Sequence, residues 1–131
     1  MFARKLLRPC GDVTPELIQN EMRAVTKLCK PGSHENIVAV FEFGKLPRSY
    51  FHFIDMELCD LNLETYIYRD WTPYVKERAP DLVAIDDMST TAKLSQIGDI
   101  MMDIAAGVAF IHSHQEVHRD LKPRNGIQLY P

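Results

Sequence analysis

His118-Arg119-Asp120-Leu121-Lys122-Pro123-Arg124-Asn125 is the most informative stretch of the chain. It holds every fixed position of the pattern H-R-D-L-x-x-x-N, five in eight residues. Each residue type suits one chemical task. Asp120 can accept the proton of a hydroxyl as that hydroxyl attacks a phosphoryl group. Lys122 can lie against the transferring phosphate, whose negative charge is spread over its oxygens. Asn125 can offer a neutral amide oxygen to Mg²⁺. A plain polar turn after a helix is the bland alternative, and so dense a match makes it a poor one. The preceding residues supply the helix: Ser95 to His114 carries apolar side chains at 97, 100, 101, 104, 105, 108 and 111, the spacing of one helix face.

Farther upstream the chain reads as strand, helix, strand, strand. Phe2–Leu7 is a short, mostly apolar strand candidate, broken off at Arg8-Pro9-Cys10-Gly11-Asp12. Thr14-Pro15-Glu16 is a helix start, with a Thr N-cap, Pro at the first helical position and an acid in the first turn. That helix should run to Leu28 or Cys29. On its wheel Leu17, Ile18, Ala24, Val25 and Leu28 fall within about 60° of Glu21. A carboxylate in an apolar stripe either lies at a partly exposed edge or meets a cation. Lys5 is the candidate cation, because Arg4 and Lys5 point to opposite strand faces. Asn36–Phe43 and Tyr50–Leu58 are β-rich runs around a Gly-Pro loop, a predicted hairpin. Leu61–Ile67 is a short helix candidate. Residues 68–93, with nine charged residues and two prolines, are expected to be an exposed excursion.

The catalytic-loop motif makes the sequence resemble a eukaryotic-type protein kinase, and Lys122 after Asp-Leu resembles the serine/threonine branch. Other stretches follow the family's order. Phe2-Ala3-Arg4-Lys5 resembles the V-A-I-K strand, with Ala3 and Lys5 matching. The resemblance implies that Lys5 holds the α- and β-phosphates of ATP and pairs with a helix Glu, which is Glu21. His34-Glu35-Asn36-Ile37-Val38 resembles the family's H-P-N-I-V turn. Met56-Glu57-Leu58-Cys59 resembles the hinge; Met56 is then the gatekeeper, and backbone groups of Glu57 and Cys59 bond adenine. The implied fold is α+β, a partial kinase-like fold. It comprises a small-lobe portion over residues 1–58, from the family's third strand with its helix and hairpin. Residues 59–131 would hold the hinge, an insertion at 68–93, the long helix and the catalytic loop. The implied activity is ATP-dependent phosphoryl transfer to protein hydroxyls, with Asp120, Lys122 and Asn125 catalytic, Asn125 holding Mg²⁺, and Ala3, Lys5, Glu21, Met56, Glu57 and Cys59 around ATP.

Within these 131 residues no G-x-G-x-x-G precedes Lys5 and no Asp-Phe-Gly follows Asn125. Glu42-Phe43-Gly44 is a strand end, not a metal site, and Gly126–Pro131 departs from the short apolar strand expected there. One neutral ligand is a poor hold on Mg²⁺, so the chain by itself is expected to transfer phosphate extremely slowly or not at all. It is also expected to leave part of the 95–114 helix uncovered, with poor solubility or a partly molten state. A non-catalytic kinase-like binding module is the alternative.

Gross features narrow the field. The chain has 46% hydrophobic and 25% charged residues, an ordinary globular composition. Net charge is −3, which argues against a nucleic-acid partner. The longest nearly pure apolar run, Ile104–Ile111, is far short of the roughly 20 residues of a membrane span, so no membrane partner is expected. Cys10, Cys29 and Cys59 form no C-x-x-C pair. A reducing cytoplasmic or nuclear setting is expected. Met22, Met88, Met101 and Met102 are expected to pack in the core or between helices.

Overall fold

The computed structural model describes residues 1–78, 80 and 84–128. Two compact units emerge, one built from Met1–Leu58 with Phe110–Glu116, the other from Cys59–Ala109 with the residues from Val117 on.

The first unit holds β1 (Phe2–Leu7), α1 (Pro15–Leu28), β2 (Val40–Lys45) and β3 (His52–Glu57). The strands form an antiparallel sheet in the order β1-β3-β2, so β3 is central. Its Ile54 is 2% exposed and lies opposite Lys5 and Phe43. Strand alternation then sorts the faces. Ala3 and Lys5 share a face with Ile54 and Met56, while Arg4 lies opposite Asp55 on the other. Asp55 is buried and doubly bonded, with Arg4 Nε and Nη2 each 2.6 Å from a carboxylate oxygen. The Arg4 hydrogen bonds hold the Asp55 carboxyl below its usual range. The guanidinium also lies 4.6 Å from the centre of the Phe53 ring, a cation–π contact.

The start of α1 follows the sequence signals. Thr14 Oγ1 accepts from the Leu17 N–H at 3.3 Å and Pro15 opens the helix. The first hairpin strand begins later than expected. Residues 34–37 form a turn in which the Ile37 N–H donates to the His34 carbonyl oxygen and the Asn36 N–H to His34 Nδ1. Pairing with β3 starts only at Val40 and continues through Lys45, past the expected loop start at Gly44. Gly44 suits that place because a Cβ would come within 3.3 Å of the Phe53 ring. Glu42-Phe43-Gly44 lies within this strand, opposite Asp55, Ile54 and Phe53.

The second unit contains β4 (Leu61–Asn62), α2 (Leu63–Tyr68), α3 (Pro73–Arg78), a 3₁₀ turn at Ala84–Asp87, and most of α4 (Thr90–Ser113). A second 3₁₀ turn at Pro123–Asn125 leads to β5 (Ile127–Gln128). Asn62 Oδ1 caps α2 by accepting from the Thr65 N–H at 2.9 Å. Leu61, Tyr66, Val75 and Ile85 form the core, with Leu63, Trp71, Met88 and Ile100 packed against it. Residues 68–93 are therefore not simply an exposed excursion: Val75 is 3% and Ile85 6% exposed. Their charged residues hide a sparse set of apolar anchors, and Trp71 packs edge-on to Tyr66, pinning the segment. A short strand does form after Asn125, contrary to expectation. Ile127 and Gln128 pair antiparallel with Asn62 and Leu61. Ladder bonds use backbone groups, so they form without the expected apolar pattern.

Helix α4 starts earlier than expected, at Thr90, where the Ser89 side chain accepts from the Ala92 N–H. Much of its apolar face is uncovered, with Leu94, Ile97 and Ile104 exposed, as the sequence leads one to expect. Met101 and Met102 are 65% and 71% exposed, so they are not core residues. The helix is also long and apolar enough to cross a membrane by length and composition, with a mean hydropathy of 1.4. The rule of a continuous apolar run overlooked this. Asp99 and Asp103 lie within it, and an Asp at a bilayer centre costs roughly 2.5–3.5 kcal/mol, which favours a place on a globular domain.

Candidate active site

Two clusters of functional side chains stand one in each unit. In the first, β1 aims Lys5 at α1, and Lys5 Nζ lies 2.6 Å from Glu21 Oε1. The pair is not buried, since the Lys5 and Glu21 side chains are 51% and 38% exposed. Both sequence alternatives for Glu21 therefore hold together. It meets a cation, and it does so at a partly open edge, because neighbouring Leu17 is itself exposed. Ala3 and Met56, opposite each other in register, share the sheet face of Lys5. The Glu57 N–H donates to the Ala39 carbonyl oxygen at 2.9 Å, and its side chain accepts from the Ala39 N–H. Cys59, half-buried, begins the second unit.

The second cluster is built by the loop between α4 and β5. Arg119 adopts a left-handed conformation with φ of 66°, an unfavourable state for a non-glycine residue. The Asp120 N–H donates to His118 Nδ1 at 3.3 Å. The 3₁₀ turn at Pro123–Asn125 then brings Asn125 back onto Asp120. Asn125 Nδ2 donates to Asp120 Oδ2 at 2.8 Å and to the Asp120 carbonyl oxygen at 2.9 Å. Lys122 Nζ is 2.8 Å from the same Oδ2. These contacts hold the Asp120 carboxyl below its usual range, the Lys122 hydrogen bond foremost, then that of Asn125, with the charge of Lys122 adding. Asp120 is thus an exposed, ionised carboxylate fixed by two neighbours.

The donor set bears on metal and nucleotide. With Nδ2 spent on Asp120, Asn125 has its Oδ1 as the amide atom able to meet a cation. Among the described residues no group of three or more His, Cys, Asp or Glu side chains could hold a metal. One amide oxygen beside a carboxylate fits Mg²⁺ that keeps waters and phosphate oxygens in its shell, as Mg²⁺ commonly does.

The whole constellation, strand lysine, helix glutamate and H-R-D-L-x-x-x-N loop, now has its geometry. Residues 1–127 match the protein kinase domain family. The chain belongs to that family. It is similar to the Schizosaccharomyces pombe sensor for unfolded proteins in the ER ire1, with 33% identity over 103 residues, 79% of this chain and 8% of that protein. The Homo sapiens serine/threonine-protein kinase/endoribonuclease IRE2 is 29% identical over 122 residues, 93% of this chain and 10% of its own length. The Saccharomyces cerevisiae serine/threonine-protein kinase TOS3 is 26% identical over 106 residues, 81% of this chain and 17% of its own. The chain thus spans less than a fifth of the length of these relatives. The mixed helix and sheet is a portion of the kinase fold.

Two polar arrangements escape the motif pattern. No sequence signal marks the pairing of Arg4 with the buried Asp55, since an Asp in an apolar strand reads as an edge residue. Glu116 meets both Arg23 and Lys27 of α1. The four-residue spacing of those two cations put them on one helix face, but their partner lies far away in sequence.

Proposed function

We propose that these residues carry part of a serine/threonine protein kinase that transfers the γ-phosphoryl group of ATP to protein hydroxyls. The observation that carries this reading is the Asp120–Lys122–Asn125 cluster, an ionised carboxylate held between an ammonium and an amide. Asp120 accepts the proton of the incoming Ser or Thr hydroxyl. Lys122 neutralises charge on the transferring group, and Asn125 orients Asp120 through Nδ2 and would hold the metal through Oδ1. Lys5 meets the α- and β-phosphates, and Glu21 positions Lys5. Ala3 and Met56 bound the adenine, which also meets backbone groups of Glu57 and Cys59. Mg²⁺ brought in with ATP would be held by Asn125 Oδ1 and would supply neutralisation of the charge that develops on the phosphate.

Residues 1–131 alone transfer phosphate slowly or not at all, because they contain neither a G-x-G-x-x-G nor an Asp-Phe-Gly. A kinase-like module that binds without turnover is the second reading. Nucleotide binding with no phosphoryl transfer in the full protein selects it. A cytoplasmic or nuclear setting, with a protein substrate and no nucleic-acid or membrane partner, completes the proposal. Cys10, Cys29 and Cys59 form no C-x-x-C pair, which supports a reducing compartment.

Two outcomes are expected. Lys5→Met lowers ATP affinity at least about tenfold, the scale of a lost hydrogen bond between charged groups. Titration calorimetry with ATP and Mg²⁺ checks it, and unchanged affinity removes Lys5 from the site. The second concerns pH. The base must be ionised, and its pKa is depressed, so kcat/KM persists on acidification until pH falls through that lowered value. Lys122→Met removes the largest cause of the depression, and the acid limb moves up toward an ordinary carboxylate. A limb that stays in place shows that Lys122 does not tune Asp120.

A further inference from the structure

Helix α1 is lightly held. Of its 14 residues only Ile18 and Leu28 are buried, and Leu17 is 53% exposed. Its polar ties are few and grouped. Lys5 meets Glu21 near the middle. Two residues onward, Arg23 Nη1 lies 3.0 Å from Glu116 Oε1, and Arg23 Nη2 lies 3.5 Å from Oε2. Lys27 Nζ lies 3.1 Å from Glu116 Oε1 and also donates to the His114 carbonyl oxygen. The Glu116 side chain is only 16% exposed and meets two cations. These contacts depress its pKa, the Lys27 hydrogen bond most, which keeps it ionised.

We infer that Glu116 is a positioning residue: its clamp on Arg23 and Lys27 sets the seating of α1, and through α1 the position of Glu21 against Lys5. The place of Glu116 in the chain gives the clamp its consequence. It is two residues before His118 and four before Asp120. The segment that enters the catalytic loop is therefore tied to the helix that carries Glu21. A charged clamp also makes α1 seating sensitive to ionic strength, which apolar packing would not do. The functional consequence rests on the kinase reading of Lys5 and Glu21; the clamp itself does not.

The test uses the full protein and two independent readouts. Hydrogen exchange of the α1 amides reports the clamp, and the KM for ATP against kcat reports its consequence. In Glu116→Gln the α1 amides exchange on the order of tenfold faster, as expected for a lost charge-assisted pair. The salt dependence of that exchange disappears, and Glu116→Asp restores part of the protection. In the charge swap Glu116→Arg with Arg23→Glu and Lys27→Glu, protection returns while each partner change alone loses it. ATP KM rises in Glu116→Gln with the thermal midpoint of β3 unfolding unchanged. Unaltered α1 exchange in both Glu116→Gln and Arg23→Ala overturns the clamp. Faster exchange with unaltered KM and kcat overturns its role in seating Glu21. If the wild-type protein neither binds ATP nor transfers phosphate, the kinase reading and this role fail together, and the exchange data still decide the clamp.

Discussion

Asp120→Asn lowers phosphoryl transfer by about 10²–10⁴-fold, the usual contribution of a positioned general base, while ATP affinity stays within a few-fold of wild type. The substitution keeps the size of the side chain and the hydrogen bond that Asn125 Nδ2 gives to Oδ2 can be replaced by one to the amide oxygen. What is lost is the negative charge between Lys122 and the incoming hydroxyl. Steady-state kinetics with saturating ATP separate this from binding. A fall in affinity matching the fall in kcat would make Asp120 a structural residue and not a base.

Ile54→Ala is expected to destabilise the first unit by about 2–5 kcal/mol, the cost of truncating a buried aliphatic side chain and leaving a cavity. Ile54 is the central residue of the central strand, opposite Lys5 on one side and Phe43 on the other. Among the described residues it is one of the two most deeply buried apolar side chains, with Ile18 of α1. The midpoint of chemical denaturation should fall at constant m-value. Tyr50→Ala, at a position 81% exposed, should change the midpoint little and serves as the comparison. A small shift for Ile54→Ala would mean that the sheet face bearing Lys5 is held by something other than this packing.

The chain shows what a sequence makes legible and what it does not. The Asp120–Lys122–Asn125 cluster and the Lys5–Glu21 contact were legible because their residue types stand at short or periodic spacings. The start of α1 was legible for the same reason, since Thr14 and Pro15 act on their immediate neighbours. The ends of β2 were not, because His34 diverts the backbone of residues 34–37 into a turn and Gly44 extends the strand by fitting against Phe53. The first is a local side-chain hydrogen bond that propensity does not show, and the second depends on where Phe53 lies. The pairing of β5 with Leu61–Asn62 escaped notice because backbone groups make it. Val75 and Ile85 were hidden by the charged residues around them, and Met101 and Met102 show the opposite error, apolar side chains that meet no core. Lys5–Glu21 turned out half open, which periodicity alone cannot separate from burial.

The central proposal is a working kinase, with a binding-only module as its rival. The most direct measurement incubates the full protein with ATP labelled on the γ-phosphate, Mg²⁺ and a generic protein acceptor, and then identifies the labelled amino acids. The predicted result is label on serine and threonine hydroxyls, dependent on Mg²⁺ and lowered by about 10²–10⁴-fold in Asp120→Asn. Bound ATP with no label on any acceptor, or label that persists undiminished in Asp120→Asn, would contradict it.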